Sequence, residues 1–345
     1  MGKPKLLAYT QEALRKEMER FGEPAFRAKQ IYAWLMQGEE IENMTNLSRN
    51  LRERLQQQYQ TGYLTILEKR VSLDGTIKYL LELDDNEAIE AVLMEYEYGK
   101  TLCISTQVGC SMGCAFCASG IGGFLRNLEV EELLAQVIAV NKDMGGGRQI
   151  TNVVLMGTGE PLLNYENVIA FLRRLHAEEG FHMAYRNISL STCGIVPRMY
   201  ELAEEGMPLT LCLSLHSAFS EKRMQLMPIE ARYPLEEVIS AMQHYYEKTK
   251  RRLIYEYIML QRYNMEAQDA AALVTLLRGQ NAHINLIPFN GTTGGFQPPT
   301  KEEMYAFQNR LTRNGLSVTI RRTLGQDIEG ACGQLRAKHQ RKQEE

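Results

Sequence analysis

The sequence predicts an α/β fold built on a barrel-like parallel sheet, preceded by a small helical domain and a short antiparallel layer. Three observations predict it. From about residue 101 to 323, strand-like apolar runs alternate with helical patterns. Most of those runs are near-continuously apolar, as strands buried on both faces are. The polar, chemistry-bearing residues fall at or just past the ends of five of the runs, the face where (β/α) barrels gather their chemistry.

The elements follow in order. Residues 1–60 read as a helical accessory domain, with Leu14, Met18, Phe21, Phe26, Ile31, Trp34 and Leu35 at roughly helical spacing and a break from Gly22 to Pro24. A further helix fits 47–59. Residues 61–100 change texture. Runs 63–71, 76–83 and 88–94 are rich in β formers, and Asp74–Gly75 is a tight-turn signal for a hairpin. Strands are then expected at 101–106, 152–156, 187–191, 209–215, 253–260, 283–288 and 317–321. Helices are expected at 129–142, 165–177, 197–205, 235–248, 267–278 and 301–313. Residues 101–330 form the barrel, and 331–345 a C-terminal loop with a basic tail.

Composition narrows the function classes. The chain has 345 residues, 44% of them hydrophobic, and a formal net charge of −3. Bulk charge therefore does not make it a nucleic-acid coat. Any RNA contact must come from local patches: Lys69–Arg70, Arg251–Arg252, Arg321–Arg322, or the tail with Arg336, Lys338, Arg341 and Lys342. No apolar run is long enough for a membrane span, and no secretory signal opens the chain, so a soluble cytoplasmic protein is expected. Seven cysteines, three of them within eight residues, do not read as a disulfide framework. They read as metal or redox chemistry in a reducing compartment.

Cys110, Cys114 and Cys117 give the spacing C-x3-C-x2-C. Thiolates are the usual ligands of iron–sulfur clusters. Three on one loop can hold three irons of a 4Fe–4S cluster and leave the fourth open to a substrate. Gly109, Gly113 and Gly120 let the backbone wrap closely around it. The alternative is a structural zinc site with Cys103 as fourth ligand. Such sites usually come as paired C-x2-4-C motifs or with histidines, and neither is present.

The loop resembles that of the radical S-adenosylmethionine (SAM) superfamily. There the open iron binds the amino and carboxylate groups of SAM, whose cleavage yields a 5′-deoxyadenosyl radical. The fold this implies is a partial (β/α)6 TIM-type barrel. MGTGEPLLN (156–164) resembles the superfamily's glycine-rich segment, in which Gly159 and Glu160 would hold the SAM amino group. The likeness narrows along CISTQVGCSMGCAFCASG, ISLSTCGIVP, SLHS, LMPI, INLIPFN and DIEGACGQL, in that order. Together these resemble the RlmN/Cfr family of radical SAM RNA adenine methyltransferases. The likeness covers nearly the whole chain, including FRAKQIYAWL near its start.

That resemblance implies a reaction consuming two SAM molecules. One methylates Cys332. The second yields the radical that takes a hydrogen from the S-methyl group, and the carbon radical adds to the adenine. Glu90 would then remove the proton from the attacked carbon, and Cys103 would attack Cys332 to release the product as a disulfide forms. Alternation along 88–94 puts Glu90, Val92 and Met94 on one face, so an apolar setting and a raised pKa are expected for Glu90. For SAM the resemblance implies Gly159, Glu160, Ser191, Ser214, Leu215, His216 and Asn290. Cys193 and Cys212 read as core filler.

The substrate expected is carbon 2 of an adenine in 23S ribosomal RNA, with transfer RNA as a further one. The cluster loop reads QVGC, as in RlmN-type members, rather than QCGC. The alternatives are Cfr-type methylation of carbon 8, which confers antibiotic resistance, and a non-catalytic iron–sulfur RNA-binding protein. A low-potential electron donor such as flavodoxin or ferredoxin, no membrane partner and a monomeric state are expected. The sequence departs from the family at Thr158, where Met is usual, at 261–264 (QRYN), and in the loop 290–299.

Overall fold

The structure is a computed structural model and describes residues 2–290 and 295–328. Cys332 and the basic tail lie outside the described residues.

The chain opens with three amphipathic helices, α1 (Gln11–Arg20), α2 (Phe26–Met36) and α3 (Arg49–Gln58). Thr10 and Ser48 start α1 and α3 by accepting the Ala13 and Leu51 N–H groups on their hydroxyls. Their inner faces bury Leu14, Met18, Ile31, Leu35, Leu51 and Leu55 in the same apolar core as the barrel. Arg174 pins this segment to the barrel. Buried, it donates to the carbonyls of Leu7 (2.7 Å) and Tyr9 (3.1 Å) and to the Tyr32 hydroxyl (3.2 Å).

Strands β1 (Thr65–Val71), β2 (Ile77–Glu82) and β3 (Ala88–Tyr96) form an antiparallel meander, and β4 (Gly99–Cys103) continues it. The layer expected at 61–100 is thus one edge of the main sheet. A small pair follows, β5 (Gln107–Gly109) with β6 (Phe124–Asn127). Then come α4 (Val130–Asp143), β7 (Asn152–Leu155), α5 (Tyr165–His176), β8 (Ile188–Thr192), α6 (Val196–Glu204), β9 (Thr210–Ser214), α7 (Ser220–Leu226), α8 (Leu235–Thr249), β10 (Leu253–Met259), α9 (Ala267–Leu277), β11 (Ala282–Pro288), α10 (Lys301–Arg313) and β12 (Val318–Ile320).

The large sheet has ten strands in the order β1-β2-β3-β4-β7-β8-β9-β10-β11-β12, parallel from β4 onward. Six of the parallel strands are each followed by a covering helix, and β12 ends the row. This is the partial (β/α)6 barrel expected. The strand leucines are buried in the core, but β7, β8 and β11 alternate buried with half-buried positions instead of being buried on both faces. Among the described residues no helix is long and apolar enough to cross a membrane.

Helix α7 and strand β6, both short, were not among the expected elements. The run 101–106 is a strand only to Cys103. Beyond it the main chain turns, with the Thr106 and Gln107 N–H groups both donating to the Thr158 carbonyl, and enters the β5–β6 clasp around the cysteine loop.

Candidate active site and the family it belongs to

A cavity of about 830 Å³ opens at the C-terminal ends of the parallel strands. Cys110, Cys114 and Cys117 line it, together with the Gly159–Glu160 turn after β7, Ser191 and Thr192 of β8, Ser214 and His216 after β9, and Asn290 after β11. Chain order scattered these groups across 180 residues. Parallel strand topology gathers them.

The cysteine loop is held from both sides. Gly109 closes the β5–β6 clasp at φ +74°, where an added Cβ would sit 1.9 Å from the Gly123 carbonyl oxygen. Cys110 N–H donates to that same oxygen at 3.0 Å, and Ala115 N–H donates to Leu226 of α7 at 2.9 Å. The three thiols are half-buried and unbridged. Burial pushes the Cys110 thiol up to about 11. Burial raises Cys114 too, reinforced by the charges of Cys117 and Cys110. Such thiols gain their thiolate form by binding metal. Three thiols on one loop, all lining one cavity, are the donor set that three irons of a 4Fe–4S cluster take, so the residues present fit that group.

The Gly159–Glu160 turn depends on glycine. Gly159 has φ +110°, and a Cβ there would come within 2.7 Å of the Gln107 side chain and 2.9 Å of its main-chain nitrogen. Glu160 is buried. Its Oε1 accepts from Leu162 N–H (3.0 Å) and Thr192 Oγ1 (2.8 Å), and its Oε2 from Cys193 N–H (2.8 Å). Burial raises its pKa, and these donors oppose the rise. Thr158, where the family usually has Met, takes part through its main chain: its N–H donates to Ser105 Oγ at 3.0 Å.

His216 stands in the left-handed region at φ +58°. Asn264 holds its loop by donating to the His216 carbonyl at 2.9 Å. The ring's Nδ1 accepts the Ile258 N–H at 3.0 Å, so the neutral ring carries its proton on Nε2. Burial, aided by the Arg223 charge, lowers its pKa to about 3. Phe116 of the cysteine loop meets it edge-on at 4.7 Å. Leu215 differs from its neighbours: its side chain is in the core and does not line the cavity.

Glu90 is buried on β3, between β2 and β4, on the face from which Val92 and Met94 line the cavity. The other face, Ile89, Ala91 and Leu93, enters the core. Alternation along the strand was legible in advance. Its apolar setting was not the whole story, because Lys78 of β2 places its ammonium 3.2 Å from Glu90 Oε1. Cys103 pairs in register with Val92 and Val154. It is buried beside the cavity without lining it, and burial pushes its thiol up to about 11.

Sequence reasoning missed three participants. Glu256 of β10 lines the cavity and accepts Ser191 Oγ at 2.7 Å. Arg321, read in advance only as half of a basic pair, lines the same cavity with Arg322, and its guanidinium lies 3.9 Å from Glu256. Cys193, taken as core filler, is buried but also lines the cavity, with Sγ 3.3 Å from Met112 Sδ. The other basic pairs serve structure: Lys69 meets Asp143, Arg70 meets Glu68, and Arg251 and Arg252 bond to Thr210 and the Ala282 carbonyl.

Comparison with known proteins agrees with this geometry. Residues 104–274 match the model of the radical SAM superfamily, and residues 5–60 that of the ribosomal RNA large subunit methyltransferase N-terminal domain. The chain is 46% identical over 333 residues to a protein of Lachnoclostridium phytofermentans named probable dual-specificity RNA methyltransferase RlmN, covering 95% of this chain and 93% of that one. A Clostridioides difficile protein of the same name is 42% identical over 334 residues, covering 96% and 97%. The crystal structure of a radical SAM methyltransferase from Sphaerobacter thermophilus superposes with a TM-score of 0.91 at 38% identity, covering 96% of this chain and 98% of that one. With its barrel, its cysteine loop and its N-terminal helices all accounted for, this chain belongs to the RlmN family of radical SAM RNA methyltransferases.

Proposed function

We propose that the enzyme methylates carbon 2 of an adenine in 23S ribosomal RNA, and an adenine of transfer RNA, through a methyl-cysteine intermediate on Cys332. The observation that carries this reading is one cavity uniting the cysteine loop, the Gly159–Glu160 turn and four strand ends, with the Glu90 face of β3 along its wall. The dual specificity in the relatives' name supports two RNA substrates. The QVGC loop favours carbon 2 over carbon 8.

Cys110, Cys114 and Cys117 would hold the 4Fe–4S cluster, and the cluster with SAM supplies the radical chemistry when bound. Gly159, Glu160, Ser191, Ser214, His216 and Asn290 bind and orient SAM, two molecules per turnover. Leu215 takes part through its main chain, since its side chain faces the core. Cys332 carries the methyl group. Glu90 accepts the proton from the attacked carbon. Cys103 attacks the Cys332 sulfur and frees the product as their disulfide forms, a state that a reducing cytoplasm resets. Adenine must leave its stack to reach the cavity, at a cost of a few kcal/mol. Residues 1–60 grip RNA. A flavodoxin- or ferredoxin-like donor supplies electrons, and the enzyme acts as a monomer.

The test is anaerobic turnover of the cluster-loaded enzyme with SAM, a reductant and unmodified 23S ribosomal RNA, followed by nucleoside mass spectrometry. 2-Methyladenosine, lost in Cys332→Ala and Cys103→Ala, is the expected result. 8-Methyladenosine alone would overturn the carbon assignment. A chain lacking residues 1–60 that binds RNA undiminished would overturn the role given to the N-terminal helices.

A further inference from the structure

Lys78 and Glu90 make an ion pair shut off from solvent. Lys78 Nζ lies 3.2 Å from Glu90 Oε1, and the two side chains are 0% and 5% exposed. The register of β2 and β3 sets Lys78 opposite Val92 and Leu80 opposite Glu90, so the charged residues are diagonal neighbours on one face. That face of β3 lines the cavity through Val92 and Met94. The Glu90 carbonyl accepts Ser105 Oγ at 2.7 Å, which fixes the strand at that residue.

A lysine with no exposed side-chain surface is rare, and it persists only beside an opposite charge. The pair has two consequences for a base. Burial favours the neutral carboxylic acid, which cannot accept a proton, while an ammonium at this distance favours the carboxylate. The ammonium also restrains the position of one carboxylate oxygen.

We propose that Lys78 is a positioning residue for the reaction, holding Glu90 as an oriented carboxylate that is ready to take a proton. This rests on the reading of Glu90 as the base. The step served moves one proton. The C–H bond of the attacked carbon breaks, the proton goes to a Glu90 oxygen, and the electron pair stays with the ring. Lys78 keeps its own proton throughout. Among the described residues, Lys78 faces Glu90 from β2 and Cys103 faces it from β4, its thiol held up partly by the Glu90 charge.

The test compares wild type with Lys78→Met, Lys78→Arg, Glu90→Gln and the Lys78→Met/Glu90→Gln double variant. Infrared spectra of the chain without RNA read the carboxyl directly. Lys78→Met should show a protonated-carboxyl band at pH 7 that the double variant lacks. In turnover, Lys78→Met should move the pH profile of methylation to the alkaline side by at least a unit, about tenfold less product at pH 7. A covalent RNA–protein adduct should persist at neutral pH and resolve at higher pH. Lys78→Arg should restore the wild-type profile. Should Lys78→Met fail to fold, Lys78→Gln serves in its place. An unshifted profile with no new band would overturn the proposal, as would an activity loss equal at every pH. If Glu90→Gln turns over normally, the base assignment itself falls, whatever Lys78 does.

Discussion

Ser191 Oγ donates a 2.7 Å hydrogen bond to Glu256 Oε2, tying β8 to β10 across β9 at the cavity wall. Both residues line the cavity, and Arg321 approaches the same carboxylate from the end of β12. The bond fixes the rotamer of a hydroxyl that we assign to SAM binding. Glu256→Ala should free that hydroxyl and weaken SAM binding about tenfold, or about 1.4 kcal/mol. Calorimetric titration of SAM into the cluster-loaded enzyme, with no reductant present, checks it. An unchanged Kd would separate Glu256 from the SAM site.

Cys103 carries a thiol pushed up to about 11 by burial and partly lowered by Arg321. At pH 7 it is protonated, and its thiolate fraction should rise about tenfold per pH unit. Alkylation of Cys103, followed by peptide mass spectrometry, should therefore be slow at pH 7 and accelerate steeply toward pH 10. Removing a nearby cation raises a thiol's pKa, so Arg321→Ala should slow labelling further at every pH in that range. Labelling that is flat with pH would contradict the burial of this thiol.

His216 is neutral in the folded chain down to about pH 3, against an ordinary value of 6.5. A histidine whose folded pKa lies below its unfolded one binds fewer protons folded than unfolded. Its stabilisation is complete above about pH 6.5 and declines as pH falls toward 3, at about 1.4 kcal/mol per unit. Urea unfolding between pH 7 and 4.5 should show this loss in wild type and a shallower one in His216→Gln. Parallel curves would show that His216 is not the group responsible. Between pH 7 and 9 the His216 ring should contribute no step to the activity profile.

Arg174 satisfies two main-chain carbonyls of the N-terminal segment and one tyrosine hydroxyl while buried. Arg174→Met fills much of the space but leaves those acceptors without their donor. A cost of about 3 kcal/mol is expected, since each buried acceptor so orphaned costs about 1–3 kcal/mol. Thermal unfolding checks the loss, and protease cleavage before residue 60 should accelerate. A variant as stable as wild type would mean that other contacts carry the junction.

Much of this molecule was legible beforehand because its signals are local. Glycine and proline mark the break between α1 and α2, Asp74–Gly75 marks the hairpin of β1 and β2, and apolar runs mark the barrel strands. The cysteine spacing is local too, and so is the alternation that set Glu90 on one face with Val92 and Met94.

The sequence by itself determined the order of the longer elements, the apolar faces of the N-terminal helices and the cysteine spacing of the cluster loop, since each rests on residues within one turn or one strand of each other. Tertiary structure alone decided which distant side chains meet. Lys78 reaches Glu90 through strand register, Ser191 reaches Glu256 across an intervening strand, and Arg321 enters the cavity instead of a surface patch. Those pairings depend on how a parallel sheet curves and how its strands register. Such geometry is set by packing over the whole core and leaves no trace in residue spacing.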